Sequence, residues 1–370
     1  MPLSVLDLTP ARRDRLRACF VDDKIDALVV TSFTNVTYLT GFTGDDSALL
    51  LTRDRAIVIS DGRYTTQLEH ECPDLEIHIR PVGQPLMPGI AEISAKLGVT
   101  RLGFEASSLT VAEHLKLAEV LKTIELGPTY DRVEALRLIK DEFEVDAIRA
   151  AARSAERGFA MLRAGLRLDD TESAVADMLE SYMRRCGAVS ASFPPIIAVG
   201  VRAALPHARP MPDVKVGDDD FMLVDWGAST RPFPYKSDLT RVLVTGNVTP
   251  KFEKIYRVVL AAQLRGIAAI RPGVTGREVD AEARSVVEEA GFGDFFQHGL
   301  GHGLGLDIHE APRLRKESET VLRPGMVVTV EPGIYFPDWG GIRIEDDILV
   351  TPNGHEVLTN VPKELETVRV

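Results

Sequence analysis

The sequence predicts an α/β domain followed by an α+β domain, and three observations support this. The length of 370 residues exceeds that of one average domain, which is about 150 residues. The first third alternates short β-branched runs with amphipathic helical runs, as α/β domains do. The remainder has longer helices separated by strand-like runs in no regular alternation. We therefore expect one domain over residues 1–133 and a second over residues 134–370.

In the first domain, apolar β-rich runs predict strands and periodic runs predict helices. Strands are expected over 26–33 (DALVVTSF), 47–52 (SALLLT) and 56–61 (AIVISD). Helices are expected over 11–23 and 111–124. Gly127 and Pro128 then interrupt the pattern, which indicates that the domain ends near this point.

The second domain opens with a long run of strong helix formers over 136–166, which predicts a helix of about seven turns. Apolar residues recur along it at helical spacing. The other helices are expected over 171–187, 252–270 and 276–291. The strands are expected over 196–201, 221–227, 239–246, 326–336 and 342–351.

Composition excludes several classes of function. The 43 Lys and Arg against 55 Asp and Glu give a net charge of −12, whereas binding to nucleic acid or to an anionic membrane needs clustered positive charge. No apolar run approaches the roughly 20 residues of a membrane span, and the N-terminus lacks the apolar segment of a signal peptide. Three widely separated cysteines, Cys19, Cys72 and Cys186, argue against a disulfide framework. We expect a cytoplasmic protein that binds neither nucleic acid nor membranes.

Four carboxylates stand in strand-like runs where a charge is unexpected. Asp225 ends the apolar run FMLV, Asp238 opens the run DLTRVLV, Glu331 interrupts MVVTVEPGIYF, and Glu345 lies within IRIEDDILV. A single strand-end carboxylate is usually solvated or paired with arginine. Four in one domain indicate a site, because buried charges persist when they are paired or coordinate a metal.

The histidines strengthen this interpretation. His298, His302 and His309 lie in HGLGHGLGLDIH, and His207 lies in a proline-flanked, loop-like segment. The zinc motif HExxH is excluded because Gly299 stands where its glutamate would be. Instead, the glycines around the histidines indicate close approach of the backbone to a ligand or to another strand.

Four carboxylates and an imidazole suit divalent ions such as Mn²⁺, Co²⁺ or Zn²⁺. Two such ions would balance four carboxylates and would activate a water, which predicts hydrolysis of an amide or a phosphate ester. Phosphate chemistry is the weaker alternative, because the sequence has no GxxxxGK[ST] loop. It also has no GxSxG element of a serine hydrolase.

Five ordered segments resemble the motifs of the M24 metallopeptidases: FPPIIAVGVRAALPHARP, VDWGASTRPFPYKSDLTRV, HGLGHGLGLDIHEAP, VTVEPGIYF and GIRIEDDILVT. Within that group the sequence is similar to Xaa-Pro dipeptidases (prolidases) and Xaa-Pro aminopeptidases. TNVTYLTGFTG and DGRYTTQ extend the resemblance to the N-terminal domain. The resemblance implies an α/β creatinase-like N-terminal domain and an α+β pita-bread catalytic domain.

The resemblance also implies roles for individual residues. The ligands of two divalent ions, Mn²⁺ foremost, would be Asp225, Asp238, His302, Glu331 and Glu345. A hydroxide bridging the ions would attack the Xaa-Pro bond of a short proline-containing peptide. His207, His309 and Glu331 would be catalytic, and His298 and Arg343 would bind substrate. Either Glu331 or His309 could protonate the leaving nitrogen.

Several alternatives remain at this point. An Xaa-Pro aminopeptidase acting on longer peptides is the alternative to a dipeptidase, and the short connection from Glu331 to Glu345 favours the dipeptidase. A metal-free amidinohydrolase or binding protein is disfavoured because all five ligand positions are filled, and methionine aminopeptidases usually lack the N-terminal domain. Four residues are candidates for pairing with a substrate carboxylate: Arg343, His207, Arg202 and Arg231.

Two further expectations concern the rim of the site and the assembly. The connection from Asp225 to Asp238 is about two residues longer than is usual in the family, so the rim of the site is expected to depart from the family pattern. The resemblance implies a homodimer. The apolar loop YLTGFTG, with Tyr38, Leu39 and Phe42, is expected either to reach the partner's active site or to be an ordinary buried strand end.

Overall fold

The computed structural model describes residues 5–370, with side chains described from residue 8 onward. Contacts divide the chain into two compact units, one ending at Arg137 and the other spanning Leu138–Val370. The expected boundary after residue 133 falls at the start of the short helix Glu134–Arg137, just before this division.

The first unit consists of one sheet and seven α-helices among its described residues. Its strands are β1 (Ala27–Val30), β2 (Ala48–Thr52), β3 (Ala56–Asp61), β4 (Glu76–Arg80), β5 (Arg101–Glu105) and β6 (Glu125–Thr129). Its helices are α1 (Val5–Arg17), α2 (Cys19–Asp22), α3 (Phe33–Thr40), α4 (Thr65–Glu71), α5 (Leu86–Lys96), α6 (Val111–Val120) and α7 (Glu134–Arg137).

The sheet is mixed, in the order β4-β3-β2-β1-β5-β6. Strand β1 pairs antiparallel with β2 and parallel with β5. Apolar side chains of the sheet pack with those of α5 and α6, among them Val29, Leu50, Ile90 and Leu117. The predicted α/β architecture is confirmed.

The stretch with Tyr38, Leu39 and Phe42 begins inside helix α3 and is not the apolar loop that was expected. These three side chains are almost completely buried, with 0–2% of their surface exposed. The Arg12 guanidinium also lies over the Tyr38 ring, 4.1 Å from its centroid. These side chains are therefore buried within their own chain, as the second alternative expected, but they lie at the end of a helix and not of a strand.

The second unit has four α-helices and twelve strands. The helices are α8 (Glu142–Gly165), α9 (Glu172–Arg185), α10 (Pro250–Ala269) and α11 (Gly276–Glu289). The strands are β7 (Ser190–Ala191), β8 (Ile196–Val199), β9 (Phe221–Trp226), β10 (Ala228–Ser229), β11 (Leu239–Val244), β12 (Gly301–Gly303), β13 (Glu310–Leu314), β14 (Val327–Val330), β15 (Gly333–Phe336), β16 (Gly340–Arg343), β17 (Asp346–Thr351) and β18 (Gly354–Val357).

Antiparallel sheets form the centre of this unit, which confirms the α+β prediction. The larger two have the orders β11-β9-β8 and β13-β12-β14-β17-β18, and β15 pairs with β16. An isolated bridge between Thr240 and Glu345 joins β11 to the junction of β16 and β17. Among the helices of residues 5–370, none combines the length and apolarity that crossing a membrane requires.

Helix pairs cover both faces of strand β9. Met222, Val224 and Trp226 pack in the cluster of α8 and α9, whereas Phe221 and Leu223 pack in the cluster of α10 and α11. Burial on both faces explains why this strand is a continuous apolar run rather than an alternating one.

Three sequence expectations need correction. The helix expected from residue 136 starts at Glu142, because extended Asp141 caps it and forms a reciprocal capping box with Glu144. The run 326–336 is two strands, β14 and β15, since Pro332 lacks the N–H that a continuous ladder needs. The run 342–351 is likewise divided between β16 and β17.

Candidate active site

The second unit contains a cavity of about 1060 Å³. Side chains from strands, strand ends and connecting segments line it. The nine residues to which the family resemblance gives a catalytic, metal-binding or substrate-binding role all line this cavity: His207, Asp225, Asp238, His298, His302, His309, Glu331, Arg343 and Glu345.

Strand periodicity brings the two aspartates together. Asp225 lies two residues after Leu223 on β9, so both side chains point to the same face of the sheet. Across the β9–β11 ladder Asp225 is the partner of Thr240, and Asp238 lies two residues before Thr240. All three side chains therefore face the cavity side of the sheet.

The two glutamates occupy the breaks between strands. Glu331 follows β14, where its N–H donates to Leu300 O at 2.8 Å and its carboxylate accepts from Thr329 Oγ1 at 3.1 Å. Glu345 lies between β16 and β17, where its carboxylate accepts from Thr240 Oγ1 at 2.6 Å. Because each glutamate lies in a break between two strands, its carboxylate points into the cavity and does not replace an apolar side chain on a strand face.

Glycines allow His302 to lie between two strands. A Cβ on Gly301 would be 2.0 Å from Thr329 O, and one on Gly303 would be 2.1 Å from Ala311 O. The expectation that these glycines permit close strand approach is thus confirmed. Nδ1 of His302 lies 3.0 Å from Gly303 O, so this nitrogen carries the proton. The lone pair of Nε2 is left facing Glu331 Oε1 at 3.3 Å and Asp238 Oδ2 at 3.7 Å.

This donor set fits divalent metal ions. Ligand atoms of Asp238, His302 and Glu345 lie within 4.8 Å of one another. Asp225 Oδ1 is buried and has no hydrogen-bond partner. Within residues 5–370, Arg343 is the one cationic side chain hydrogen-bonded to any of the four carboxylates, through Asp225 Oδ2 at 2.5 Å. One guanidinium does not neutralise four carboxylates, whereas two divalent ions would.

The pKa values reflect this excess of negative charge. Burial, followed by the charges of Glu345 and Asp225, raises the pKa of Asp238 well above its ordinary value. Burial raises the pKa of Glu331 to about 7, even though 17% of its side chain stays exposed. Burial lowers the pKa of His302 to about 3, so its imidazole is neutral and able to bind a metal at neutral pH.

Arg343, Tyr335 and His298 form a connected group beside the carboxylates. Arg343 Nη1 donates to Tyr335 OH at 2.8 Å, and Tyr335 OH lies 3.0 Å from His298 Nε2. Arg343 Nε donates to Thr240 Oγ1 at 3.0 Å. The guanidinium expected to bind substrate therefore has its nitrogens engaged by the site itself. Tyr335 and Thr240 were missed because a lone hydroxyl in a strand gives no sequence signal.

His309 and His207 are exposed to the cavity, unlike His302. The His309 ring meets the His302 ring edge to face, with 4.5 Å between the centroids. Burial and the charge of Arg313 lower the pKa of His309. An uncharged imidazole that is open to the cavity next to the ligand set is suited to accept or donate a proton.

Arg313 is a cavity residue that sequence reasoning missed. It is the cross-strand partner of His302 in the β12–β13 ladder, so its side chain lies on the same face of the sheet. Burial is the main cause of the lowered pKa of His302, and the charge of Arg313 adds to it; the same charge partly offsets the burial that raises the pKa of Glu331. Its position in HEAPR, four residues after His309, was the available signal.

Two arginines proposed for substrate carboxylate binding do not line the cavity. Arg202 Nε donates to both carboxylate oxygens of Glu172 at 3.0 Å. Arg231 is exposed in the connection between Asp225 and Asp238, and none of residues 227–237 lines the cavity. The structure therefore supports neither candidate: Arg202 is paired with Glu172, and Arg231 lies in the connection that contains β10, which pairs with β7.

Comparisons with known proteins agree with this geometry. Residues 146–352 match the model of metallopeptidase family M24, and residues 12–139 match the creatinase/prolidase N-terminal domain. The chain is 36% identical to the Xaa-Pro dipeptidase of Pyrococcus horikoshii over 349 residues, which is 94% of this chain and 96% of the relative.

Two solved structures of similar proteins are described as different kinds of peptidase, a dipeptidase and an aminopeptidase. The Xaa-Pro dipeptidase from Bacillus anthracis has a TM-score of 0.92 and 40% identity, covering 98% of this chain and 100% of that one. The X-Pro aminopeptidase from Thermotoga maritima has a TM-score of 0.86 and 32% identity, covering 92% of this chain and 97% of that one.

We predict that Asp238→Asn removes metal binding while the fold survives. A neutral amide is a weaker ligand than a carboxylate and does not balance cationic charge. Metal content by plasma mass spectrometry should fall, with an unchanged circular dichroism spectrum. Asp294→Asn, which changes an exposed carboxylate on the same cavity, is the matched control and should keep its metal. Full metal content in Asp238→Asn would contradict the ligand assignment.

We also predict that the metal-free protein loses stability as the pH rises from about 7.5 to 8.5. In this range the imidazoles of His298, His302 and His309, whose pKa values are lowered by burial, are almost entirely neutral in both the folded and the unfolded states. Carboxyl groups with a raised pKa, such as Glu331 at about 7 and Asp238, are then ionised when unfolded but still bind protons when folded. Their stabilising contribution is therefore lost as the pH rises through the folded-state pKa.

Melting temperatures of chelator-treated protein across this pH range test this expectation. Added Mn²⁺ should remove most of the pH dependence, because bound cations favour the ionised carboxylates. A metal-free melting temperature that is constant or rises from about pH 7.5 to 8.5 would contradict the raised pKa values of these buried carboxyl groups.

Proposed function

We propose that this chain, which belongs to metallopeptidase family M24, hydrolyses the Xaa-Pro bond of dipeptides. Family membership rests on the match over residues 146–352 and on full-length identity to relatives. The observation that carries the proposal is the group of four carboxylates and a neutral imidazole facing one cavity, with Arg313 beside it. Descriptions of the Pyrococcus horikoshii and Bacillus anthracis relatives support the substrate class.

Xaa-Pro bonds are unusual peptide bonds. The proline nitrogen carries no hydrogen, so peptidases that hold a substrate N–H lose that contact. When bound, two divalent ions supply Lewis-acid polarisation of the scissile carbonyl and an activated water. We propose that Asp225, Asp238, His302, Glu331 and Glu345 hold these ions, with Mn²⁺ as the physiological metal.

Proton transfers are assigned to groups open to the cavity. His309, next to His302, is placed to donate a proton to the tetrahedral oxygen or to the leaving nitrogen. Glu331, a carboxylate that lines the same cavity, is the other group that could take up and return a proton. We propose that His207 contacts the scissile bond from another wall of the cavity.

The position of Arg313 supports dipeptides, rather than longer peptides, as the substrates. A dipeptide places its free carboxylate one residue beyond the scissile bond, and a guanidinium near the metal ligands can pair with it. Arg209, Arg313, Arg315 and Arg343 line the cavity, and Arg343 is engaged with Asp225, Thr240 and Tyr335. Of the others, Arg313 is the cross-strand partner of the ligand candidate His302, which makes it the best placed to meet the substrate.

An Xaa-Pro aminopeptidase is the second candidate. The cavity of about 1060 Å³ exceeds the volume of a dipeptide, and a similar structure from Thermotoga maritima is described as an X-Pro aminopeptidase. The arginine next to the ligand set favours the dipeptidase, because a longer substrate would bring an uncharged amide to this position.

We further propose a cytoplasmic homodimer. The three free cysteines support a reducing compartment. Sedimentation velocity should give a species of twice 40.6 kDa, and a monomer at all concentrations would contradict the dimer.

We predict that Xaa-Pro is cleaved faster than Xaa-Pro-Yaa or an amidated Xaa-Pro. Loss of one charged hydrogen bond, about 1.5–3 kcal/mol, corresponds to roughly 10- to 150-fold in kcat/KM. Arg313→Ala should lower kcat/KM for the dipeptide by this factor and remove the discrimination. The control Arg277→Ala, which breaks an exposed pair with Glu319, should not change it. Equal or faster cleavage of tripeptides would favour the aminopeptidase.

We predict that His309→Ala keeps its metal but loses activity. Removal of a proton-transfer group typically costs about 10²- to 10⁴-fold in rate. Metal content and kcat measured on the same preparation separate this effect from loss of metal. A kcat within a few-fold of the unmodified enzyme would assign His309 a purely structural role.

A further inference from the structure

Glu172, the first residue of helix α9, has a fully buried carboxylate, with 0% of its side chain exposed. A carboxylate in such a place is costly unless its oxygens are satisfied by donors. All of the hydrogen-bond donors found for its oxygens belong to residues 199–211, which we name the His207 segment.

The carboxylate binds this segment at both ends. Oε1 accepts from Val199 N at 2.8 Å, and Oε2 accepts from Met211 N at 2.9 Å. Between these ends, Arg202 Nε donates to both oxygens at 3.0 Å. Arg202 Nη2 then donates to Arg209 O at 2.6 Å, two residues after His207. The ion pair therefore closes the segment into a loop.

The other side of the segment lies against strand β16. A Cβ on Gly340 would be 2.4 Å from Gly200 O, and one on Gly341 would be 2.2 Å from Ala203 O. With backbone contact on one side and a buried ion pair on the other, the segment has little freedom to shift. The imidazole of His207, which lines the cavity, takes its position from these contacts.

We propose that Glu172 and Arg202 are positioning residues that act through His207. Neither residue lines the cavity. An ion pair that fixes both ends of a loop determines geometry more sharply than apolar packing does, because its donors and acceptors have defined directions. This inference rests on the proposed function, in which His207 contacts the scissile bond.

A double-mutant cycle tests the proposal. Arg202→Ala and Glu172→Gln should each lower kcat/KM for Xaa-Pro by about 10- to 100-fold, since a shift of about 1 Å in a catalytic group has an effect of this size. In the His207→Ala background, Arg202→Ala should cause no further loss. Independent, additive losses would overturn the proposal, and so would a His207→Ala enzyme with full activity.

Hydrogen exchange supplies a readout that does not depend on activity. Arg202→Ala should speed exchange of the amides in the His207 segment while metal content stays unchanged. Arg202 keeps 23% of its side chain exposed, so this variant is the milder one if Glu172→Gln fails to fold. Unchanged exchange in Arg202→Ala would overturn the anchoring role.

The matched control is Arg167→Ala, which breaks an exposed pair with Asp169 at 3.1 Å in the same unit. It should alter neither exchange in the His207 segment nor kcat/KM. Absence of Xaa-Pro cleavage by the unmodified enzyme would refute the proposed function alone, because the exchange measurement still decides whether the ion pair anchors the segment.

Discussion

Electrostatic repulsion among four carboxylates in one cavity is the constraint on which the rest of the second unit depends. Asp225, Asp238 and Glu345 are buried, and Glu331 is largely so. Among the side chains of residues 8–370, one guanidinium, that of Arg343, is hydrogen-bonded to these carboxylates. Holding these groups at metal-ligand distance is unfavourable without cations and favourable with them, so the architecture has a strong preference for divalent ions.

The fold counters this repulsion by holding the candidate metal ligands on a rigid backbone. Asp225 and Asp238 lie near the ends of paired strands, and both glutamates lie where a strand is interrupted. Helix pairs cover the outer faces of these strands with apolar side chains. Each charged group thus projects from a backbone whose own hydrogen bonds are already satisfied, which limits how far the carboxylates can move apart.

Two arginines in this unit hold other residues in position as well as supplying positive charge. Arg343 connects Asp225, Thr240 and Tyr335, and Tyr335 reaches His298. Arg202 joins Glu172 to the segment that carries His207. In both cases a planar guanidinium with several donors fixes two or more elements at once, a role that lysine fills poorly. Arg313, by contrast, lines the cavity, where a substrate carboxylate can meet it.

The sequence by itself determined the two-domain architecture, the family and the residues of the candidate metal site. It did so because carboxylates in apolar strands and glycines around His302 are local signals: each is a residue type in a place that strand or helix propensity alone would not select. The alternation of side chains along a strand also puts Asp225 and Asp238 on one face of the sheet as soon as β9 and β11 pair.

Only the tertiary structure decided which arginines line the cavity. Arg202 and Arg231 are candidates in the sequence, yet one pairs with buried Glu172 and the other lies in a connection outside the cavity. Arg313 lies at the site because the register of β12 and β13 places it opposite His302. Strand register and the partner of each guanidinium depend on contacts between residues far apart in the chain. No local pattern encodes such contacts, because the residues around an arginine do not specify whether it will meet a glutamate or a substrate.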